Sequence, residues 1–132
     1  MKDSPMSTRL KDKVCIITGG GSGIGHATAL LFAREGARLA IADKRMDAAK
    51  AVSAECSSRN AAAIAVEMDV AKAADAQRMI EETVKAFGRI DVLINNAGYG
   101  IAGSVVETDE KAWDDLMSVN VRGVFLCSKF AI

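Results

Sequence analysis

Apolar positions along the chain alternate between short unbroken runs and longer stretches spaced for one face of a helix. Val14-Cys15-Ile16-Ile17 is a run of the first kind, the pattern of a strand covered on both sides of a sheet. Glycines follow it at once. From Gly23 to Glu35, Ile24, Ala27, Leu30, Leu31 and Phe32 recur at helical spacing until Gly36 supplies a stop. Arg38 to Ala42, ending at Asp43, predicts a second strand, and the Ala-rich stretch from Met46 to Cys56 a second helix. Ala62 to Met68 predicts a third strand, after which Ala76, Met79, Ile80, Val84 and Phe87 mark one face of a helix closed by Gly88. Asp91 to Asn95 predicts a fourth strand, almost wholly apolar within. Beyond a loop from Gly98 to Thr108 comes one last helix, capped by Thr108 or Asp109 and running through Trp113, Leu116, Met117, Asn120, Val124 and Phe130.

Strands that alternate with helices of about three turns imply parallel strands joined by right-handed crossovers, with helices on both faces of the sheet. The predicted class is therefore α/β, doubly wound. At 132 residues the chain suits one domain. Residues 13–132 form it in this reading, behind a flexible tail, Met1 to Asp12, that holds the only proline and little apolar content. The last helix stops at Phe130-Ala131-Ile132 with no glycine, proline or polar tail to close it, an ending that predicts a longer parent protein.

Composition narrows the function classes. Lys plus Arg balance Asp plus Glu at 17 each, so the electrostatics favour neither nucleic acid nor a membrane surface as partner. No apolar run approaches the roughly 20 residues that cross a bilayer, which with the absence of a signal peptide predicts a cytoplasmic protein. Cys15, Cys56 and Cys127 are odd in number and far apart, without metal-ligand spacing. They read as small buried apolar residues in a reducing compartment. His26, the only histidine, reads as a solvent-facing helix residue.

The chemistry concentrates in Thr18-Gly19-Gly20-Gly21-Ser22-Gly23-Ile24-Gly25, between the first strand and the first helix. Glycines let the backbone turn tightly and approach a pyrophosphate, while the unpaired N–H groups and positive dipole end of the helix favour its charge. Ser22 offers a hydroxyl donor. A P-loop is excluded because His26, not Lys, follows Gly25, and the common G-x-G-x-x-G register does not fit the Gly19-x-x-x-Gly23-x-Gly25 spacing. Asp43 lies 18 residues after Gly25 (43 minus 25), near the offset of about 20 expected of a ribose-binding acid. Its carboxylate can accept both adenosine-ribose hydroxyls and repels a 2′-phosphate, which favours NAD over NADP. Lys44 and Arg45 directly after it leave the phosphate alternative open.

On these residues the chain resembles the short-chain dehydrogenase/reductase family. The T-G-x-x-x-G-I-G pattern is matched by Thr18 through Gly25, the acid and valine after the third strand by Asp69-Val70, the N-N-A-G signature by Asn95-Asn96-Ala97-Gly98, and the active-site asparagine by Asn120. The resemblance implies a Rossmann-type sheet, with the four strands present in the order 3-2-1-4 and the second half of the fold lying beyond Ile132. It implies cofactor contacts from Gly19, Ser22, Gly23, Ile24, Gly25, Asp43, Asp69, Val70, Asn96, Ala97 and Gly98, with Asp69-Val70 beside the adenine, and a catalytic role for Asn120 in a proton relay. It also implies hydride transfer between NAD and a small alcohol or ketone, no metal, and homo-oligomers of the full-length parent through the helix starting near Asp109. Taken singly these motifs have plainer readings: Asp69 as a helix cap, Asn95 and Asn96 as a strand-end turn, Asn120 as a helix residue bonded to backbone. The family's Tyr-x-x-x-Lys pair is missing. The only tyrosine, Tyr99, precedes Gly103 rather than Lys at the fourth position, so this chain alone is expected to be inactive. A non-catalytic NAD-binding module would use the same cradle.

Overall fold

The structure, a computed structural model, describes residues 8–132. Four parallel strands, β1 (Val14–Thr18), β2 (Arg38–Asp43), β3 (Ala63–Glu67) and β4 (Val92–Ile94), form one sheet in the order β3-β2-β1-β4. Between them run α1 (Gly23–Arg34), α2 (Met46–Ser58) and α3 (Ala73–Phe87), and after β4 come α4 (Glu110–Met117) and α5 (Gly123–Ala131). This is the doubly wound order expected.

Successive side chains of a strand point to opposite faces, and β1 uses both. Cys15 and Ile17 pack with Leu39 and Ile41 against Ala29 and Ala33 of α1 and Ala49, Val52 and Cys56 of α2. Ile16 joins Ala40, Ala42 and Val66 on the other face, against Ala76 and Met79 of α3 and Leu126 and Cys127 of α5. The small residues on the helices let them lie close to the sheet, so β1 is wholly buried. Each fully buried isoleucine contributes about 1.5–3 kcal/mol relative to exposure. By contrast β4 is one of the sheet's two edge strands, and its three residues are only half-buried.

Two regions carry detail that the spacing does not predict. Leu10 and Asp12 donate backbone N–H groups to Glu35 and Gly36 O at 2.9 and 3.2 Å, and Arg9 pairs with Glu35 at 2.8 Å. Residues 8–12 of the expected tail are thus bonded to the α1–β2 turn, whose Glu35 and Gly36 carbonyls accept from them; residues 1–7 lie outside the described residues. The last helix runs from Glu110 to Ala131 as expected, but not as α-helix throughout. A π turn, Ser118–Arg122, separates α4 from α5, and Gly123 N–H donates to Ser118 O five residues back. Asp109 is the cap that starts α4, accepting from Ala112 N at 3.3 Å, whereas Thr108 bonds back to Ser104 O.

Candidate functional site

The C-terminal ends of the parallel strands converge on the glycine turn. Gly19 and Gly23 adopt left-handed backbone, φ +63° and +54°, which L side chains rarely tolerate. A Cβ on Gly25 would lie 2.3 Å from Gly19 O, so α1 can pass under the turn only as glycine there. A Cβ on Gly23 would meet nothing, which leaves the outer side of the turn open. Ser22 is the extended residue before α1. It makes no side-chain cap, and the first turn carries no acid, so its amides remain available to an external anion.

Thr18, at the end of β1, ties this turn to the β4 end. Its Oγ1 accepts from Asn96 N and Ala97 N, both at 3.0 Å, and donates to Ile94 O at 3.3 Å. Asn96 returns the contact by donating Nδ2 to Thr18 O at 3.1 Å and Gly19 O at 3.2 Å. Asn96 therefore acts on the cradle by holding it. Asn95 instead reaches α5, donating to Ser128 Oγ at 3.1 Å.

Asp43 is anchored by both oxygens: Oδ2 accepts from Gly21 N and Oδ1 from Arg45 N, each at 2.9 Å. An ionised carboxylate offers about four lone-pair sites, so capacity remains for hydroxyl donors. Asp69 Oδ1 accepts from Ala71 N at 3.0 Å, while its own N–H donates to Asp75 Oδ2 at 2.9 Å. This is the turn-capping role that acids at such positions also play. Val70 is buried against Gly123, where a Cβ would come within 2.7 Å of Val70 Cγ2.

A cleft of about 220 Å³ is lined by Gly19, Asp43, Lys44, Met68, Asp69, Val70, Ala97, Gly98, Tyr99 and Val119. Six of the expected cofactor residues, Gly19, Asp43, Asp69, Val70, Ala97 and Gly98, share it. Ser22, Gly23 and Ile24 lie along the open glycine turn, with Ile24 largely exposed. Asn120 stands behind the wall: its Oδ1 accepts from Tyr99 N at 3.0 Å and its Nδ2 donates to Tyr99 O at 2.7 Å. Met68, Tyr99, Val119 and the Thr18 hub were not foreseen, whereas Lys44 had been weighed as a phosphate partner. A hydroxyl ending an apolar strand and a glycine inside a helix, Gly123, were the available signals.

Other titratable groups lie away from the cleft. Burial pushes the Cys15 and Cys127 thiols up to about 11, with Asp91 adding to the effect at Cys15, and burial raises Cys56 as well. Such thiols are held protonated and unreactive. His26 Nε2 lies 2.9 Å from Glu55 Oε2, so it bridges α1 and α2 rather than simply facing solvent.

A dinucleotide fits this arrangement. The outward side of the turn at Gly23 is open, and the carboxylate of Asp43 is held beside the turn by its Gly21 amide. The family model for short chain dehydrogenases matches residues 13–132. The chain belongs to that family. Meso-2,3-butanediol dehydrogenase of Serratia marcescens is 43% identical over 124 residues, covering 94% of this chain and 49% of that protein. An uncharacterized oxidoreductase of Thermotoga maritima is 44% identical over 120 residues, 91% of this chain and 47% of its own length. Among solved structures, the 3-ketoacyl-(acyl-carrier-protein) reductase of Brucella melitensis complexed with NADH superposes with a TM-score of 0.86 at 37% identity, over 91% of this chain and 49% of that one. The chain thus spans about half the length of these members of the family. None of its helices, among the described residues, is long and apolar enough to cross a membrane.

Proposed function

We propose that this chain binds a nicotinamide dinucleotide, NAD in preference to NADP, and that it supplies the cofactor half of an oxidoreductase acting on a small alcohol or ketone. The observation that carries this reading is the coupling of Asp43 to Gly21 at 2.9 Å, which sets a ribose acceptor and a phosphate cradle in one rigid unit. Bound dinucleotide supplies the hydride chemistry. The amides of α1's first turn hold its diphosphate, Asp43 orients the adenosine ribose, and Thr18 with Asn96 keeps the two strand-end loops at fixed separation. Asn120 keeps the Tyr99 backbone in place and so shapes the cleft wall. A 2′-phosphate would meet the Asp43 charge at close range, an unfavourable pairing that Lys44 only partly offsets. The relatives named for a diol dehydrogenase and a ketoacyl reductase support the alcohol and ketone class.

Isothermal titration tests this directly. NAD should bind at least about tenfold more tightly than NADP, a difference of about 1.4 kcal/mol, and Asp43→Asn should shrink that preference to within about twofold. Equal affinities in the parent chain would discard the NAD assignment, and absence of heat with both dinucleotides would discard the cradle.

A binding module without turnover would use the same glycine turn and the same Asp43. Protein-dependent oxidation of NADH by a ketone would eliminate that alternative. The exposed stripe of Trp113, Val121 and Phe125, with acids Asp114 and Asp115 at one end and Arg122 and Lys129 at the other, supports two-fold antiparallel pairing of copies. Phe125→Ala should then lower the sedimentation coefficient, and a parent chain that already sediments as a monomer would remove the idea.

A further inference from the structure

Glycine inside a helix weakens it relative to alanine, so a helical glycine calls for a reason in its surroundings. Gly123 opens α5 with ordinary right-handed backbone, φ −59° and ψ −42°, which any residue adopts. Its conformation therefore does not require glycine. Its position does. The three heavy atoms nearest to an added Cβ all belong to Val70: Cγ2 at 2.7 Å, Cβ at 2.9 Å and the carbonyl O at 3.4 Å. The first two distances are well inside the separation at which carbon atoms pack. A β-branched side chain is stiff at χ1, so Val70 cannot fold its methyls away and one of the two backbones would have to move.

Both backbones are held. In the loop that carries Val70, Met68 N donates to Asp43 O at 3.1 Å, Asp69 N to Asp75 Oδ2 at 2.9 Å and Lys72 N to Asp69 O at 3.0 Å. On the other side Gly123 N–H closes the π turn on Ser118 O, and Asn120 within that turn is bonded twice to Tyr99. The same two segments also stand as walls. Met68, Asp69 and Val70 of the loop and Val119 of the π turn line the 220 Å³ cleft, and Asp69 and Ala71 stand with Ser118 and Val119 around an adjoining space of about 400 Å³.

We propose that Gly123 is a positioning residue of this cleft: by carrying no side chain it seats the π turn directly on Val70 and so fixes the separation of the two walls. The proposal rests on the dinucleotide reading above. Gly123 is itself buried and acts through Val70. A methyl group at this position is a wedge, which spreads the loop bonded to the Asp43 backbone from the turn that carries Asn120.

ADP is the probe, titrated into the parent chain, Gly123→Ala, Val70→Gly and the exchange variant that combines them. In the exchange variant the side chain moves from one wall to the other, and the added Cβ faces only the carbonyl of residue 70, at the 3.4 Å of ordinary contact. Gly88→Ala controls for lost stability alone, because Gly88 has left-handed backbone, φ +84°, and open space where its Cβ would lie. Gly123→Ala should weaken ADP binding by between about fivefold and about thirtyfold, within the range of couplings carried by packed side chains. Val70→Gly should weaken binding in the parent yet tighten it at least about twofold in the Gly123→Ala background. Gly88→Ala should melt at a lower temperature and bind ADP within about twofold of the parent.

ADP affinity in Gly123→Ala within about twofold of the parent, an exchange variant that binds no better than Gly123→Ala, or an equal loss in Gly88→Ala would each overturn the proposal and leave the dinucleotide reading standing. If Gly123→Ala does not fold, folding regained in the exchange variant supports the contact with Val70, and its absence overturns it. A folded parent chain that binds neither ADP nor NADH overturns the dinucleotide reading and this proposal with it.

Discussion

The first βαβ unit and the last helical stretch contrast in how they are held. Every residue of β1 is buried, and β2 is buried across its middle. The turn between β1 and α1 tolerates only glycine where backbone passes over backbone. In α4 no residue is buried, while Trp113 and Phe125 are 53% and 61% exposed and Val105 and Val106, in the loop before it, more than 90%. The first unit is buried on both faces of the sheet, by α1 and α2 on one and by α3 and α5 on the other. The later segment is held by Leu126 and Cys127 in the core on the α3 side, by Gly123 against Val70, and by the amides of Asn120 on Tyr99 and Asn95 on Ser128. The glycine turn belongs to the first unit, whereas Val119 in the cleft wall belongs to the later segment. Local opening should therefore begin at the wall and leave the cradle formed.

The largest expected effect sharpens this contrast. Ile16→Ala, at the centre of β1, should cost about 2–5 kcal/mol of stability, whereas Phe125→Ala should cost less than about 1 kcal/mol in a monomeric background. Urea unfolding midpoints measure both, and comparable losses would mean that α5 is as much a part of the core as β1. Next in size, Asn120→Ala removes both bonds to Tyr99 and should cost about 1–3 kcal/mol. Hydrogen exchange should then speed up at Tyr99 and its neighbours while protection of β1 amides is retained; loss of protection in β1 would show that the two regions unfold together.

The smallest effect is acidic. Asp91 Oδ2 accepts from Val14 N at 2.9 Å, and that bond, with the Arg89 guanidinium on Oδ1, holds the carboxyl below the usual aspartate range. A lowered folded-state pKa means stabilisation that is full above the unfolded value, about 3.9, and lost as pH falls through the lower folded one. Thermal melting from pH 6 downward should accordingly fall less steeply below about pH 4 in Asp91→Asn than in the parent. Parallel curves would assign the acid sensitivity elsewhere.

Much of the fold was legible in the sequence because its signals are local. The apolar run at Val14 to Ile17, the glycines after it and the left-handed Gly88 that ends α3 each constrain their own few residues. Asp43 was legible for the same reason, as an acid ending a strand at a set distance from the turn. Val70 was legible as a position but not in its contact, since its partner Gly123 lies far along the chain on α5. The same separation hid the Thr18–Asn96 bonds, which join the ends of two strands adjacent only in the sheet. The π turn at Ser118 to Arg122 was invisible because the spacing of Trp113, Met117, Val121 and Val124 also suits a helix that is α throughout.

What the amino-acid order determined by itself is the alternation of strand and helix, the site of the glycine turn and the acid one strand away, because each follows from backbone sterics and side-chain periodicity over a few residues. Only the tertiary structure decided that Thr18 clamps two loops, that Asn120 spends both halves of its amide on Tyr99, and that Tyr99 reaches the β2 and β3 side of the cleft. Those outcomes depend on which distant segments meet across the sheet, and a hydrogen bond between residues far apart in sequence leaves no period to read.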